Sequence, residues 1–218
     1  KAALIVTTGA VAPTTVRYDN VVVRDLDRLD MTDYKQKDIL WKNDLMGQSG
    51  LTLGGYGCTM TSVTNLFNYY GYKSIQLPDT DGQLQWVDVN PKNMNKWLSS
   101  NSGYDLEGYL SPTAIVELAS ETKEATSTSL LNIVYDNVQN FSANLDPPVL
   151  SSQVMNDKLD NFLPPIARVR YTWVKDNQEF WRYHFLNVVG RTNSGIYNIN
   201  DPLTTQINLD SVNYSNNI

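Results

Sequence analysis

The chain has 218 residues, a net charge of −6 and an apolar content of 41%, which suffice for one domain with a sizeable core. The acidic balance argues against nucleic acid or an anionic membrane as the main partner, and no apolar run approaches the roughly 20 residues that span a bilayer. The single cysteine excludes an internal disulfide, and together with the single histidine it excludes an internal Cys/His zinc site. We therefore expect no metal and no other cofactor.

Residues 1–30 differ in pattern from the rest of the chain and predict a β-rich arm. Two β-branched runs, Leu4–Thr8 and Val21–Val23, are separated by turn residues. The segment Tyr18–Asp25 resembles the closing strand of lectin-like jelly-roll domains, which implies a remnant of an upstream β domain. The alternative is an arm of the main domain, residues 31–218. Because the chain begins with lysine and shows no signal pattern, we infer a mature product or a piece of a longer polypeptide.

Helix signals dominate the first half of the main domain. The segment after Cys58 carries apolar residues three and four positions apart and ends at Gly71, a typical C-cap glycine. Two further helices are predicted to begin at Pro91 and Pro112, since proline is favoured in the first helical turn. Residues 73–90 are predicted to form a polar loop, and residues 120–150 fit a strand or a helix equally well.

The second half changes to a period of two after a helix that is predicted over Ser151–Phe162. Alternating apolar residues predict three successive antiparallel strands over residues 166–173, 183–190 and 195–201. Helices followed by a sheet indicate an α+β domain with a helical half that faces a sheet half.

Cys58 lies between the glycine-rich segment Leu53–Gly57, which we expect to be a loop, and the first predicted helix. The N-terminus of a helix favours the thiolate, which is the reactive form of cysteine. The glycines would let a tight loop present the sulfur to a substrate. A lone cysteine is nevertheless most often a small buried apolar residue, so a catalytic role requires partners.

The only histidine, His184, lies in the second predicted strand, and Asn200 and Asp201 end the third. A catalytic imidazole needs a third group that accepts its N–H and fixes its tautomer. If the hairpin places Gly190 opposite Gly195, His184 falls opposite Asp201, and a register shift of one residue offers Asn200 instead.

Four segments, in this order, resemble papain-like cysteine peptidases, in particular the stand-alone bacterial and phage relatives of bacteriocin-leader (double-glycine) peptidases. They are Tyr34–Trp41, Gly57–Gly71, Pro91–Gly103 and His184–Gly190 with Asn200–Pro202. The resemblance covers about residues 34 to 202. It implies a two-lobed papain-like fold of α+β class, in which the cysteine helix packs against the C-terminal antiparallel sheet.

The resemblance also implies a role for each site residue. Cys58 is the nucleophile, His184 the general base and acid, and Asp201 the orienting residue. Gln36 would complete the oxyanion hole with the backbone N–H of Cys58. This glutamine usually lies only a few residues before the cysteine, whereas Gln36 precedes Cys58 by 22 residues, so Gln48, ten residues before Cys58, is the alternative.

The implied activity is that of a thiol protease, a hydrolase that cleaves amide bonds through a thioester intermediate. Its substrate would be a protein or the peptide of the bacterial cell wall, with no nucleic acid or membrane as partner. A bacterial or phage protein that is secreted or virion-associated would suit this activity. The alternatives are a catalytically idle papain-like module that binds peptide or glycan, and a transpeptidase that uses the same residues.

Overall fold

The computed structural model of the chain describes residues 28–121, 123–124 and 152–209. The two strands predicted before residue 28 and nearly all of the ambiguous segment 120–150 lie outside these residues. The helices and antiparallel strands confirm the α+β class. The elements are α1 Leu53–Tyr56, α2 Cys58–Tyr69, β1 Tyr72–Pro78, β2 Leu84–Asp88, α3 Pro91–Ser100, α4 Pro112–Glu121, β3 Lys123–Glu124, α5 Ser152–Asp160, β4 Ile166–Lys175, β5 Gln178–Arg191 and β6 Tyr197–Asn200.

Helix α2 begins at Cys58 itself, as its apolar period predicts. It ends before Gly71, whose positive φ of 88° is the left-handed conformation that glycine adopts after a helix. Apolar Met60 and Phe67 are buried, and so are polar residues on its other sides, including Asn65. The helix is therefore enclosed by neighbouring elements over most of its surface.

The glycine-rich segment before Cys58 is a helical turn, α1, and the prediction of a loop is wrong. Thr52 caps this turn, because its hydroxyl accepts a hydrogen bond from the N–H of Gly55 at 3.3 Å. A Cβ atom at Gly57 would lie 2.6 Å from the carbonyl oxygen of Leu53, so no larger residue fits between the two helices. Close packing thus explains this glycine, since its φ of −79° is accessible to any residue.

Residues 73–90 form a β-hairpin, and the prediction of a loop is wrong here as well. β1 and β2 pair antiparallel, and β3 pairs with the other edge of β1. Ile75 and Leu77 alternate with more exposed neighbours and are buried in the core. In the turn, the carboxylate of Asp79 accepts hydrogen bonds from the N–H groups of Asp81 and Gln83. A short apolar alternation followed by an Asp-rich turn was thus a valid strand signal.

The three other predicted helices are confirmed. α3 begins at Pro91 after an N-cap, Asn90, whose side chain accepts from the N–H of Asn93 at 3.0 Å. α4 begins at Pro112, and α5 ends shortly before the two prolines that follow it in the chain. Capping residues and prolines act within one turn of a helix, so the sequence alone locates these boundaries.

The C-terminal sheet contains the three predicted strands in the order β4-β5-β6. β4 and β5 extend beyond the predicted bounds and meet at a two-residue turn, Asp176 and Asn177, in which both residues have positive φ. Such a turn matches the twist of the strands that it connects. The result is a long ribbon with ten paired positions on each strand.

The register of β5 and β6 differs from the prediction. Gly190 pairs with Asn198 and not with Gly195, because the turn closes between Thr192 and Ile196. The register also shifts between Val188 and Gly190, where the carbonyl group of Val189 accepts from the N–H of Leu29 at 2.6 Å. The bulge bends β5 at the position where the chain upstream of the main domain contacts it.

Buried apolar side chains of the described residues form two clusters, one that includes α2 and one that includes β5. Met60 and Phe67 of α2 belong to the first cluster, together with residues of β1, α3 and α4. Leu186 and Val188 of β5 belong to the second cluster, together with Met155 of α5. Cys58 and His184 therefore belong to elements of different cores. No described helix is long and apolar enough to span a membrane.

Candidate active site

His184 and Asp201 form a buried ion pair. The His184 Nε2 atom lies 2.6 Å from Asp201 Oδ1, and the two side chains are 1% and 0% exposed. The carboxylate of Asp201 also accepts hydrogen bonds from the N–H of Leu203 and the hydroxyl of Thr204. These contacts fix the carboxylate, which in turn fixes the imidazole and leaves Nδ1 as its second functional nitrogen.

Asp201 reaches His184 although the predicted register was wrong. The strand β6 ends at Asn200, opposite Asn187, so Asp201 lies just beyond the paired region. Among the residues that the structure describes, no strand pairs with this edge of β5 at His184, and the Asp201 carboxylate lies beside the imidazole. The end of β6, and not a cross-strand pair, therefore brings the two residues together.

Asn200, the alternative orienting residue, does not contact His184 through any described hydrogen bond. Its Oδ1 atom accepts from Arg28, and its Nδ2 atom donates to the carbonyl oxygen of Met31 at 3.2 Å. Asn200 therefore ties residues 28–32 to the end of β6. The structure brings Asp201 to the histidine and directs Asn200 to the upstream chain.

Cys58 is a half-buried free thiol at the first position of α2. Burial raises the pKa of this thiol, but hydrogen bonding and charge interaction with His184 lower it, as do hydrogen bonds from the backbone of Phe185 and the side chain of Thr59. The net effect is a lowered pKa. The thiol is thus biased toward the thiolate by its contact with the only histidine of the chain.

The imidazole responds in the opposite sense. Burial lowers the pKa of His184, whereas the hydrogen bond that its ring donates to Asp201 and the hydrogen bond and charge of Cys58 raise it, to about 9. His184 lowers the pKa of the thiol, and Cys58 raises the pKa of the imidazole. The two groups therefore favour a thiolate–imidazolium pair near neutral pH. Such a pair can attack a carbonyl carbon and donate a proton within the same site.

Gln36 lies beside the cysteine turn, and Gln48 lies elsewhere. The Gln36 side chain is 1% exposed, and its Nε2 atom donates to the carbonyl oxygen of Gly54 at 3.0 Å. Its backbone N–H donates to the carbonyl oxygen of Pro202 at 2.8 Å, so Gln36 connects the cysteine turn with the residue after Asp201. Gln48 is exposed in a groove lined by Leu98 and Tyr104.

A buried amide network, which the sequence reasoning missed, joins α2 to β5. Asn187 donates to the carbonyl oxygen of Ser62 at 3.1 Å and accepts from Asn65 at 3.2 Å. Asn65 in turn accepts from the N–H of Tyr34 at 2.9 Å, and the Ser62 hydroxyl donates to the carbonyl oxygen of Phe185. Polar residues at buried positions of an apolar helix and strand were the signal for this network.

No group of three or more potential metal ligands occurs among residues 28–121, 123–124 and 152–209. Comparison with the models of known protein families gave no match, and no curated protein or solved structure was found to match the chain. A functional interpretation of the site therefore rests on the chemistry and geometry of its own residues.

Proposed function

We propose that the chain is a cysteine peptidase of papain-like, two-lobed architecture, which hydrolyses amide bonds in a protein or in cell-wall peptide. The observation that carries the proposal is the association of three groups: the half-buried Cys58 at a helix N-terminus, the buried His184, whose hydrogen bond and charge lower the thiol pKa, and the buried Asp201, 2.6 Å from Nε2 of the imidazole. Each group alone has a structural explanation. Placed side by side, the three groups correspond to the nucleophile, the base and the orienting group of a thiol hydrolase.

The proposed reaction begins with attack of the Cys58 thiolate on the carbonyl carbon of the scissile amide. The π electrons of the carbonyl group move to its oxygen, and as they return the C–N bond breaks. The imidazolium of His184 donates its Nδ1 proton to the departing nitrogen, which leaves as an amine and a thioester remains. A water molecule then gives a proton to His184 and attacks the thioester, and Cys58 leaves as the thiolate while the imidazolium is restored.

Gln36 is suited to stabilise the oxyanion in both steps. An amide nitrogen carries two hydrogens, of which one is used in the bond to Gly54. The second hydrogen of Gln36 Nε2 and the N–H of Cys58, which has no intrahelical acceptor at the start of α2, are the proposed donors. The burial of Gln36 supports this role, because hydrogen bonds to a developing charge are stronger away from water.

The division of the core supports the two-lobed interpretation. The nucleophile begins a helix of the first apolar cluster, and the histidine lies on a strand of the second. A substrate would therefore lie at the end of the contact between α2 and β5, where the half-buried Cys58 begins the helix. Pockets tend to occur where two such units meet.

The first experiment measures the reactivity of the thiol with iodoacetamide at pH 7. Because Cys58 is the only cysteine, the observed rate reports a single site. We expect native Cys58 to react faster than free cysteine and His184→Ala to react on the order of 10-fold or more slowly, since the histidine lowers the thiol pKa. Circular dichroism establishes that the variant is folded. A native rate no faster than that of free cysteine, with no effect of His184→Ala, contradicts the proposal.

The second experiment tests hydrolysis itself. Unfolded protein and purified cell-wall material are incubated with the native chain and with Cys58→Ser, and new amino and carboxyl groups are counted. We expect equal numbers of both groups with the native chain and none with the variant. Products that contain a new amide bond would indicate transpeptidation, and bound but uncleaved substrate with an unreactive thiol would indicate an idle binding module.

A further inference from the structure

The ribbon formed by β4 and β5 continues beyond His184 and has two different faces. Residues that pair across the ribbon share a face, and alternate pairs lie on the same side. Ring contacts agree with this assignment, because Tyr171 lies 5.9 Å from His184 and Trp173 lies 5.8 Å from Phe180. We name the side that carries the histidine the His184 face, and it consists of Val169, Tyr171, Trp173, Lys175, Gln178, Phe180, Arg182 and His184.

The His184 face is positively charged in an otherwise acidic chain. It carries Lys175 and Arg182 but no aspartate or glutamate. The two acidic residues of the ribbon lie elsewhere: Glu179 is on the opposite face and Asp176 is in the turn. The opposite face carries Arg168 and Arg170 beside Glu179, so the whole ribbon is positively charged in a chain of net charge −6, and only the His184 face lacks a carboxylate.

Arg182 is the cation of this face that lies closest to the reacting groups. It is two residues from His184 on the same face, a spacing of about 7 Å along a strand. Its Nη1 atom donates to the carbonyl oxygen of Gly55, 3.3 Å away, and Gly55 precedes Cys58 by three residues. The guanidinium group therefore bridges the strand of the base and the turn of the nucleophile.

The guanidinium group of Arg182 keeps donors available for a ligand. Its carbon lies 5.8 Å from the centre of the Trp173 ring, and its described hydrogen bond goes to a neutral backbone oxygen. No carboxylate in the described part of the chain forms an ion pair with it. A guanidinium group has five N–H donors in a planar fork, which matches the two oxygens of a carboxylate.

We propose that Arg182 is a specificity-determining residue that binds a carboxylate of the substrate next to the scissile amide. This inference rests on the proposed peptidase function and extends it to a substrate class, peptides that carry a negative charge near the cleavage site. The side chain forms a bidentate pair with the carboxylate, and the rings of Trp173 and Phe180 contact the apolar part of the same substrate residue. The carboxylate belongs either to an acidic side chain or to the C-terminus of the peptide.

The first test compares two alkylating agents that differ in one carboxylate. Iodoacetate and iodoacetamide both alkylate Cys58: the sulfur forms a bond with the CH2 carbon of the reagent, and iodide leaves. Only iodoacetate carries a negative charge. The measured quantity is the ratio of the two rate constants, so each variant serves as its own reference for thiol reactivity. We expect Arg182→Gln to lower this ratio about tenfold, the effect of one charge-assisted pair, and Arg182→Lys to lower it less.

The matched control is Arg168→Gln. Arg168 lies on the opposite face of the same ribbon, 4.5 Å from the ring centre of Tyr183, and its substitution changes the net charge by the same amount. A ratio that falls only in the Arg182 variants supports the inference. A ratio that is equal in native and Arg182→Gln proteins, or that falls equally in Arg168→Gln, overturns it.

The second test distinguishes the two sources of the carboxylate. Peptides that differ by Glu or Gln beside the scissile bond, and peptides with a free or amidated C-terminus, are compared by kcat/KM in native protein and in Arg182→Gln. The preference that disappears in the variant identifies the source, and the absence of any Arg182-dependent preference contradicts the inference. Rapid, His184-dependent alkylation by iodoacetamide would still support the peptidase, so the two proposals fail separately.

Discussion

The replacement Asp201→Asn tests the link between the buried carboxylate and the reactivity of the thiol. Asparagine keeps the size of the side chain but removes its charge. Burial lowers the pKa of His184, and the hydrogen bond with Asp201 is the largest single cause that raises it. Without the carboxylate, burial opposes the imidazolium and only the Cys58 sulfur still favours it. We therefore expect the pKa of His184 to fall and the thiolate–imidazolium pair to become rare.

The size of the effect follows from the pKa of His184. A value of about 9, compared with an ordinary 6.5, corresponds to about 3 kcal/mol in favour of the protonated ring. Cys58 supplies a part of this energy, so the loss of Asp201 removes on the order of 1 to 3 kcal/mol. Since about 1.4 kcal/mol is a factor of ten, the alkylation rate at pH 7 should decrease on the order of 10- to 100-fold.

The assay is the rate of alkylation by iodoacetamide between pH 4 and pH 10 for native protein, Asp201→Asn and a control, Asp160→Asn. Asp160 is an exposed carboxylate that pairs with Arg191 on the surface, where an ion pair contributes little. The alkylation rate follows the fraction of thiolate. In the native protein it should therefore reach its plateau at a pH below the ordinary thiol pKa, and in Asp201→Asn the increase in rate should occur at higher pH. Identical profiles for native protein and Asp201→Asn would refute the reasoning.

The same pair of residues gives a pH dependence of stability with a definite sign. The pKa of His184 is raised by folding, so its contribution is fully present below the unfolded pKa of about 6.5 and is lost as the pH rises through about 9. The free energy of unfolding, measured with urea, should therefore differ more between native protein and Asp201→Asn at pH 6.5 than at pH 9.5. A difference that grows over this range would contradict the assigned pKa direction.

Two further substitutions test the oxyanion donor and the amide network. Gln36→Ala should lower kcat on the order of 100-fold with a small change in the iodoacetamide rate, whereas Gln48→Ala should leave kcat within about twofold; the reverse order would assign the role to Gln48. Asn187→Ala leaves the buried amide of Asn65 without its acceptor and should lower the free energy of unfolding by about 1 to 3 kcal/mol. In a double-mutant cycle, the variant that combines Asn65→Ala with Asn187→Ala should lose less than the sum of the two single variants. Additive losses in that double-mutant cycle would show that the two amides act independently.

The sequence alone determined the features that depend on nearby residues. The start of α2 at Cys58, the helices that begin at Pro91 and Pro112, and the three C-terminal strands all follow from caps, prolines and apolar periods. These signals act within a few residues of the chain. The hairpin over residues 73–90 was missed because its polar turn and proline outweighed a short apolar alternation, although the signal was present.

Only the tertiary structure decided the features that depend on distant pairs. The choice of Asp201 over Asn200 follows from the bulge near Val189 and from the end of β6, neither of which a strand pattern reveals. The position of Gln36 beside the cysteine turn depends on its contacts with Gly54 and Pro202, which lie 18 and 166 residues away along the chain. The physical reason is that packing and register select among partners that local propensities leave equivalent.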